Sequence, residues 1–123
     1  MKLNLRGEAV IRVCFDAALT ILTSGECELR VEGEAVLQVP DGDRVSFDPC
    51  TPDIVAPHLV RLARDVISEA EVGKAGELVI GFESGVKLTV QPDDDYEAWG
   101  LVGSKRRRVI CTPGGEIAVW SGE

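Results

Sequence analysis

His58 is the only histidine in this sequence and so the first place to look for a general base or a nitrogen ligand to a metal. The four cysteines, Cys14, Cys27, Cys50 and Cys111, are the natural nucleophiles and soft metal ligands to set beside it. Their spacing argues against both roles. No C-x-x-C pair aims two thiolates at one ion across a short turn, and His58 stands eight residues beyond Cys50. The scattered set is expected to be reduced thiols that behave as small buried hydrophobes. One grouping stays open, a pocket in which folding brings His58, Cys50 and Cys111 together. No serine lies in a G-x-S-x-G elbow, and His58 has no evident Ser or Cys partner in sequence. Gly114-Gly115 is followed by a strand pattern, not a helix, so it implies a tight hairpin turn instead of a phosphate cradle. The residues therefore point to no catalytic side chain, no metal ligand and no cofactor.

Charge is more clustered than reactivity. Asp93, Asp94, Asp95 and Glu97 form an acidic run without the D-x-D-x-D-G spacing of a calcium loop. Neighbours in an extended chain point to opposite sides, so these carboxylates converge poorly on one cation. Together with Tyr96 and Trp99 they are expected to form a partner-facing patch or a solvated turn. Lys105, Arg106, Arg107 and Arg108 make the opposing basic patch, with no aromatic interleaved as a stacking platform. Its simplest setting is a solvated hairpin turn. If the chain between the clusters is extended, it holds them roughly 25 Å apart. Trp120 is expected to pack near Trp99 in a C-terminal aromatic cluster that belongs to the core, the alternative being a partly exposed Trp99 that anchors a binding site.

The elements that must position these residues are mostly strands. Alternation of apolar and polar side chains marks residues 8–15, 18–23, 26–32, 35–39 and 44–47 in the first half. In the second it marks 77–82, 86–91, 107–111 and 116–120, with 96–103 either a strand or an irregular segment. Ser24-Gly25, Pro40-Asp41-Gly42-Asp43, Glu83-Ser84-Gly85 and Thr112-Pro113-Gly114-Gly115 supply turns. Three prolines in 48–58 make the best internal boundary, and Pro57 suits the first turn of a helix. From there Leu59, Leu62, Ala63 and Val66 recur on one face, which predicts a helix of two to three turns. That helix runs on to Ala70, or a strand begins at Val66. The halves also look alike: Phe15-Asp16 matches Phe82-Glu83, and Leu19-Thr20-Ile21 matches Leu88-Thr89-Val90. Duplication would explain this, and so would binary patterning alone.

With 123 residues and 45% hydrophobic composition the chain can form one domain with its own core, as pseudo-halves 1–50 and 57–123 joined by the proline-rich segment. Its 21 acidic and 13 basic side chains leave a net charge of -8. That repels nucleic-acid backbones and anionic membranes and favours association with a basic partner. No apolar run reaches the length of a membrane span, and the N-terminus does not resemble a signal peptide, so a cytoplasmic protein is expected.

The segments GELVIGFESGVKLTV, DDDYEAWGLVG and VICTPGGEIAVW, with matches at 77–90, 96–99 and 113–120, resemble a family of small, mainly actinobacterial proteins known only as a domain of unknown function. The resemblance carries the E-A-W and P-G-G-x-x-A-V-W motifs and implies no established activity. Some small acidic domains of this kind are associated with immunity to toxins. The expected fold is α+β, predominantly antiparallel β in two strand meanders, with one short α-helix between the halves. The expected function is a non-catalytic protein-binding module, an immunity-type or regulatory partner, with no nucleic-acid or membrane ligand and with a homodimer through an uncovered sheet edge compatible with it. The alternative is a small enzyme or ligand-binding domain built around His58, Cys50 and Cys111.

Overall fold

Residues 1–53 and 55–120, which the computed structural model describes, form eleven strands and one short helix. The first half holds β1 (Val10–Phe15), β2 (Leu19–Thr23), β3 (Glu28–Val31), β4 (Ala35–Gln38) and β5 (Arg44–Phe47). Helix α1 (Ala56–Val60) follows. The second half holds β6 (Ile67–Val72), β7 (Leu78–Phe82), β8 (Lys87–Val90), β9 (Trp99–Val102), β10 (Arg108–Cys111) and β11 (Ile117–Trp120). Six strands form one sheet in the order β1-β2-β3-β9-β10-β11, and five form a second in the order β5-β4-β8-β7-β6. The architecture is α+β, mostly antiparallel, with meanders β1-β2-β3 and β6-β7-β8.

Alternation explains why the strands hold together. Leu19, Ile21, Leu29, Leu101 and Val109 turn inward from the six-stranded sheet, while Leu37, Ile80 and Leu88 do so from the other. All join one hydrophobic core. Each fully buried aliphatic side chain of this kind contributes about 1.5–3 kcal/mol relative to exposure.

Strands β1 to β5 and β6 to β10 repeat one arrangement. In each set three strands form a meander, and the next two cross to the other sheet. There β9 pairs with β3 and β4 pairs with β8. LTILTSGECELRV at 19–31 aligns without a gap with LVIGFESGVKLTV at 78–90. The turns agree bond for bond: Thr23 N–H donates to the Cys27 carbonyl as Phe82 N–H does to Val86, and Glu26 N–H to Thr23 as Gly85 N–H to Phe82. A register shift after the first residue recurs in β1 and β6. The two copies meet at the Ala9–Val66 bridge, where Val10 N–H donates to the Asp65 carbonyl and Ile67 N–H to that of Glu8. The repeat is set one hairpin away from the match read in the sequence. Phe15 ends β1, the counterpart of β6, whereas Phe82 ends β7, the counterpart of β2. Neighbouring hairpins in one meander share the same alternation, so pattern alone could not choose between them.

The helix is shorter than its periodicity suggested. Leu59 and Leu62 are buried, but Ala63 is exposed and Arg64 takes a left-handed conformation at φ 75°. Pairing wins over helix propensity here: Val66 bridges Ala9, and Ile67–Val72 becomes β6. Residues 1–9 run along β6 through the Lys2–Glu71 and Ala9–Val66 bridges, with Leu3 and Leu5 buried beneath. Among the described residues no helix is long and apolar enough to cross a membrane.

Candidate functional site

Folding does not gather His58, Cys50 and Cys111. Cys111 is buried, and its thiol donates to the Gly76 carbonyl at 3.5 Å. Cys50 is exposed, with its thiol donating to the Ala17 carbonyl at 3.0 Å. Partial desolvation, followed by the Asp48 carboxylate, pushes the Cys50 thiol up, away from the thiolate a nucleophile needs. All four cysteines are free. The pocket proposed around these three residues is therefore not formed.

His58 instead lines an open hollow of about 410 Å³ with Asp41, Arg61, Asp65 and Ser84. Histidine, carboxylate and serine stand side by side here, and the carboxylate and serine hydrogen-bond to one another. Ser84 Oγ donates to one Asp65 oxygen, while the backbone N–H groups of Val66 and Ser84 donate to the other. In the first copy Glu8, the counterpart of Asp65, is held from a different position: Thr23 Oγ1, where the second copy has Phe82, donates to its carboxylate, and Ala9 N–H donates to Ser24 Oγ. The backbone repeats as well, with Ser24 N–H donating to Ala9 and Glu83 N–H to Val66. These are twin clasps between a meander turn and the segment at the pseudo-two-fold. In this arrangement the Asp65 carboxylate ties the β7–β8 turn to the segment that leads into β6.

The acidic run lies elsewhere, between β8 and β9. The Asp93 side chain accepts from Asp95 N–H at 2.8 Å, and its carbonyl accepts from Gly114 N–H at 2.8 Å. Asp94, Asp95 and Glu97 are exposed. Tyr96 is 47% exposed and borders an open hollow of about 370 Å³ lined also by Glu34, Ser46, Phe47, Asp48 and Asp93. Partial desolvation first, and then the carboxylates of Asp93 and Asp48, hold the Tyr96 phenol above its usual range. Register explains the meeting. Ala35 pairs with both Phe47 and Val90, so Glu34, Asp48 and the chain after Val90 emerge at one end of the five-stranded sheet. Glu34 and Asp48 carried no signal in the sequence, because only the long-range β4–β8 pairing brings them to Tyr96. Among the described residues no group of three or more His, Cys, Asp or Glu side chains is arranged to hold a metal ion.

Trp99 belongs to the core and not to this surface. It is 1% exposed, and its indole N–H donates to the Gly76 carbonyl at 3.0 Å. Nor does Trp120 pack near it. Trp99 shares a cross-strand row with Cys111 and Ile117 on the inner face, whereas Trp120 sits opposite Arg108 on the outer face at 53% exposure. The basic patch divides too. Lys105 and Arg106 form the tip of the β9–β10 turn, both left-handed at φ 57° and 63°. Arg107 Nη1 donates to the Leu3 carbonyl at 3.0 Å, and Arg108 points out from β10.

The chain belongs to a family of unknown function, DUF6188. The family model matches residues 1–121, so the likeness takes in the N-terminal half as well as the C-terminal one. No curated protein and no solved structure matches the chain.

Proposed function

We propose that this DUF6188 protein is a non-catalytic binding module that receives a basic side chain or basic segment of a protein partner in the hollow around Tyr96. One observation carries the reading: Glu34, Asp48 and Asp93, distant in sequence, line a single concavity beside a half-exposed aromatic ring. A lysine or arginine placed there meets several carboxylates and the face of a phenol ring, which favours a cation by charge and by cation–π attraction. The net charge of -8 adds long-range steering. The twin clasps supply the complementary support, since they account for the most enzyme-like grouping as anchoring.

The test is titration of a fluorescently labelled lysine- and arginine-rich peptide, followed by anisotropy at several salt concentrations. Expected are binding that weakens as salt rises and a loss of roughly tenfold on Tyr96→Ala or Asp93→Asn, about 1.4 kcal/mol. Glu69→Gln, on the outer face of β6, removes one charge far from the hollow and is the control. Equal losses in Glu69→Gln and Asp93→Asn would mean that net charge alone attracts the peptide, and the reading would fall.

A further inference from the structure

The sheet edges are not finished alike. Along β6 the edge is covered by residues 1–9, with Leu3 N–H donating to Ala70 and Val72 N–H to Met1. The start of β1 is engaged by Arg64 and Asp65, and its register shift turns Ile11 outward at 64% exposure. Strand β5 begins with Arg44 directly after Asp41 and Asp43 and leads into Pro49 and Pro52. Charges, bulges, prolines and covering segments are the usual means of keeping an edge from pairing. Among the described residues strand β11 has none of them. Ile117–Trp120 carries no charge and no proline, Val119 and Trp120 are half exposed, and among the described residues no strand pairs with its far side.

The ladder fixes which groups are open. Thr112 N–H donates to the Glu116 carbonyl, and Ile110 and Arg108 stand opposite Ala118 and Trp120. By antiparallel alternation Glu116, Ala118 and Trp120 turn their peptide groups toward β10, leaving those of Ile117 and Val119 directed at the open edge.

We propose that β11 pairs antiparallel with β11 of a second copy of this chain, about a two-fold axis at Ala118. In this register Ile117 of each copy meets Val119 of the other, and both sets of open backbone groups find partners. On the outer face Ala118 meets its own counterpart, so two small side chains lie at the axis. Trp120 comes to lie between Arg108 of its own copy and Glu116 of the second, an order of cation, ring and anion that is complementary in charge. Centring the axis on Val119 moves Glu116 past the end of the facing strand, and centring it on Ile117 does the same to Trp120. The contact is smaller than the ~800 Å² per partner of a standard interface, so the dimer forms reversibly with concentration. The edge does not depend on the hollow around Tyr96, and the two readings stand or fall separately.

Two measurements on the full chain test it. Sedimentation velocity over a wide concentration range is expected to show a monomer–dimer equilibrium that Val119→Lys abolishes while the melting temperature holds. Cysteine cross-linking in a Cys50→Ser background reads the register. Residues facing across the axis bring their Cα atoms to about 4.5–5.5 Å, within disulfide reach, so Ala118→Cys should link roughly tenfold faster than Val119→Cys. Purely monomeric sedimentation at the highest concentration, a Val119→Lys protein that dimerises like its parent, or Val119→Cys linking as fast as Ala118→Cys would each overturn the proposal.

Discussion

The carbonyl oxygen of Gly76 accepts from two buried side chains, the Trp99 indole and the Cys111 thiol, at 3.0 Å and 3.5 Å. The close fit extends to its backbone. A Cβ at Gly76, where φ is +93°, would lie 2.2 Å from the Gly115 carbonyl oxygen, so the β6–β7 and β10–β11 turns can touch only as glycine on glycine. Two buried thiols, Cys111 here and Cys27 at the β2–β3 turn, should make stability depend on pH. Burial raises the Cys111 thiol above its ordinary value of 9.0; burial and then the Glu8 carboxylate do the same for Cys27. The unfolded chain therefore releases these protons first as pH climbs. The stability linked to them is intact below the unfolded value and is lost as pH rises through about 9 toward the folded values. The melting temperature should accordingly fall more steeply above about pH 8 than it does in a Cys27→Ala/Cys111→Ala variant. Calorimetry from neutral to alkaline pH checks this, and equal slopes would free the thiols from any part in the alkaline loss.

Elements follow the same logic of paired anchoring. If the Asp65–Ser84 contact is a clasp, removing it should act on stability, and the Glu8–Thr23 contact, made by the counterpart carboxylate, should behave alike. Asp65→Asn and Thr23→Val are each expected to cost about 1–3 kcal/mol in denaturant unfolding, the range for a hydrogen bond involving a charged group. A Ser84→Ala protein that keeps its stability but loses binding to some added ligand would show that the site at His58 has a function of its own. Legibility in the sequence divides along the same line between local and distant partners. Strands such as Glu28–Val31 were readable because strict alternation survives in a half-buried strand. The apolar spacing after Pro57 left a helix running on to Ala70 and a strand from Val66 both open, and the pairing of Val66 with Ala9, dozens of residues away, decides for the strand. Asp93 and Tyr96 were legible as a charged and aromatic cluster, but Glu34 and Asp48 were not, since no local signal announces that β4 lies beside β8. Trp99 was readable as a core side chain or as a binding anchor, and its pairing with Val31 and Cys111 decides for the core.

At the scale of the molecule, the exchange of strands between halves makes neither half complete. Strands β4 and β5 of the first half attach to their sheet only through β8, and β9 to β11 of the second attach only through β3. A chain cut in the segment around residues 51–55 would leave the first fragment with a three-stranded meander and a detached hairpin, and the second with the same plus one strand. Neither fragment closes the shared core, and pieces of about 60 residues are marginal even when their cores are whole. Each fragment alone should therefore melt without cooperativity, while an equimolar mixture should regain a cooperative transition and the dispersed amide spectrum of the intact protein. The reassembly should be slow, because β3–β9 and β4–β8 join strands far apart in the chain and little local structure rewards the search before they form. A first-half fragment that folds cooperatively by itself would mean that the meander and its hairpin pack on one another in a closed unit. The crossed arrangement would then be an outcome of linking two stable units and not the source of their stability.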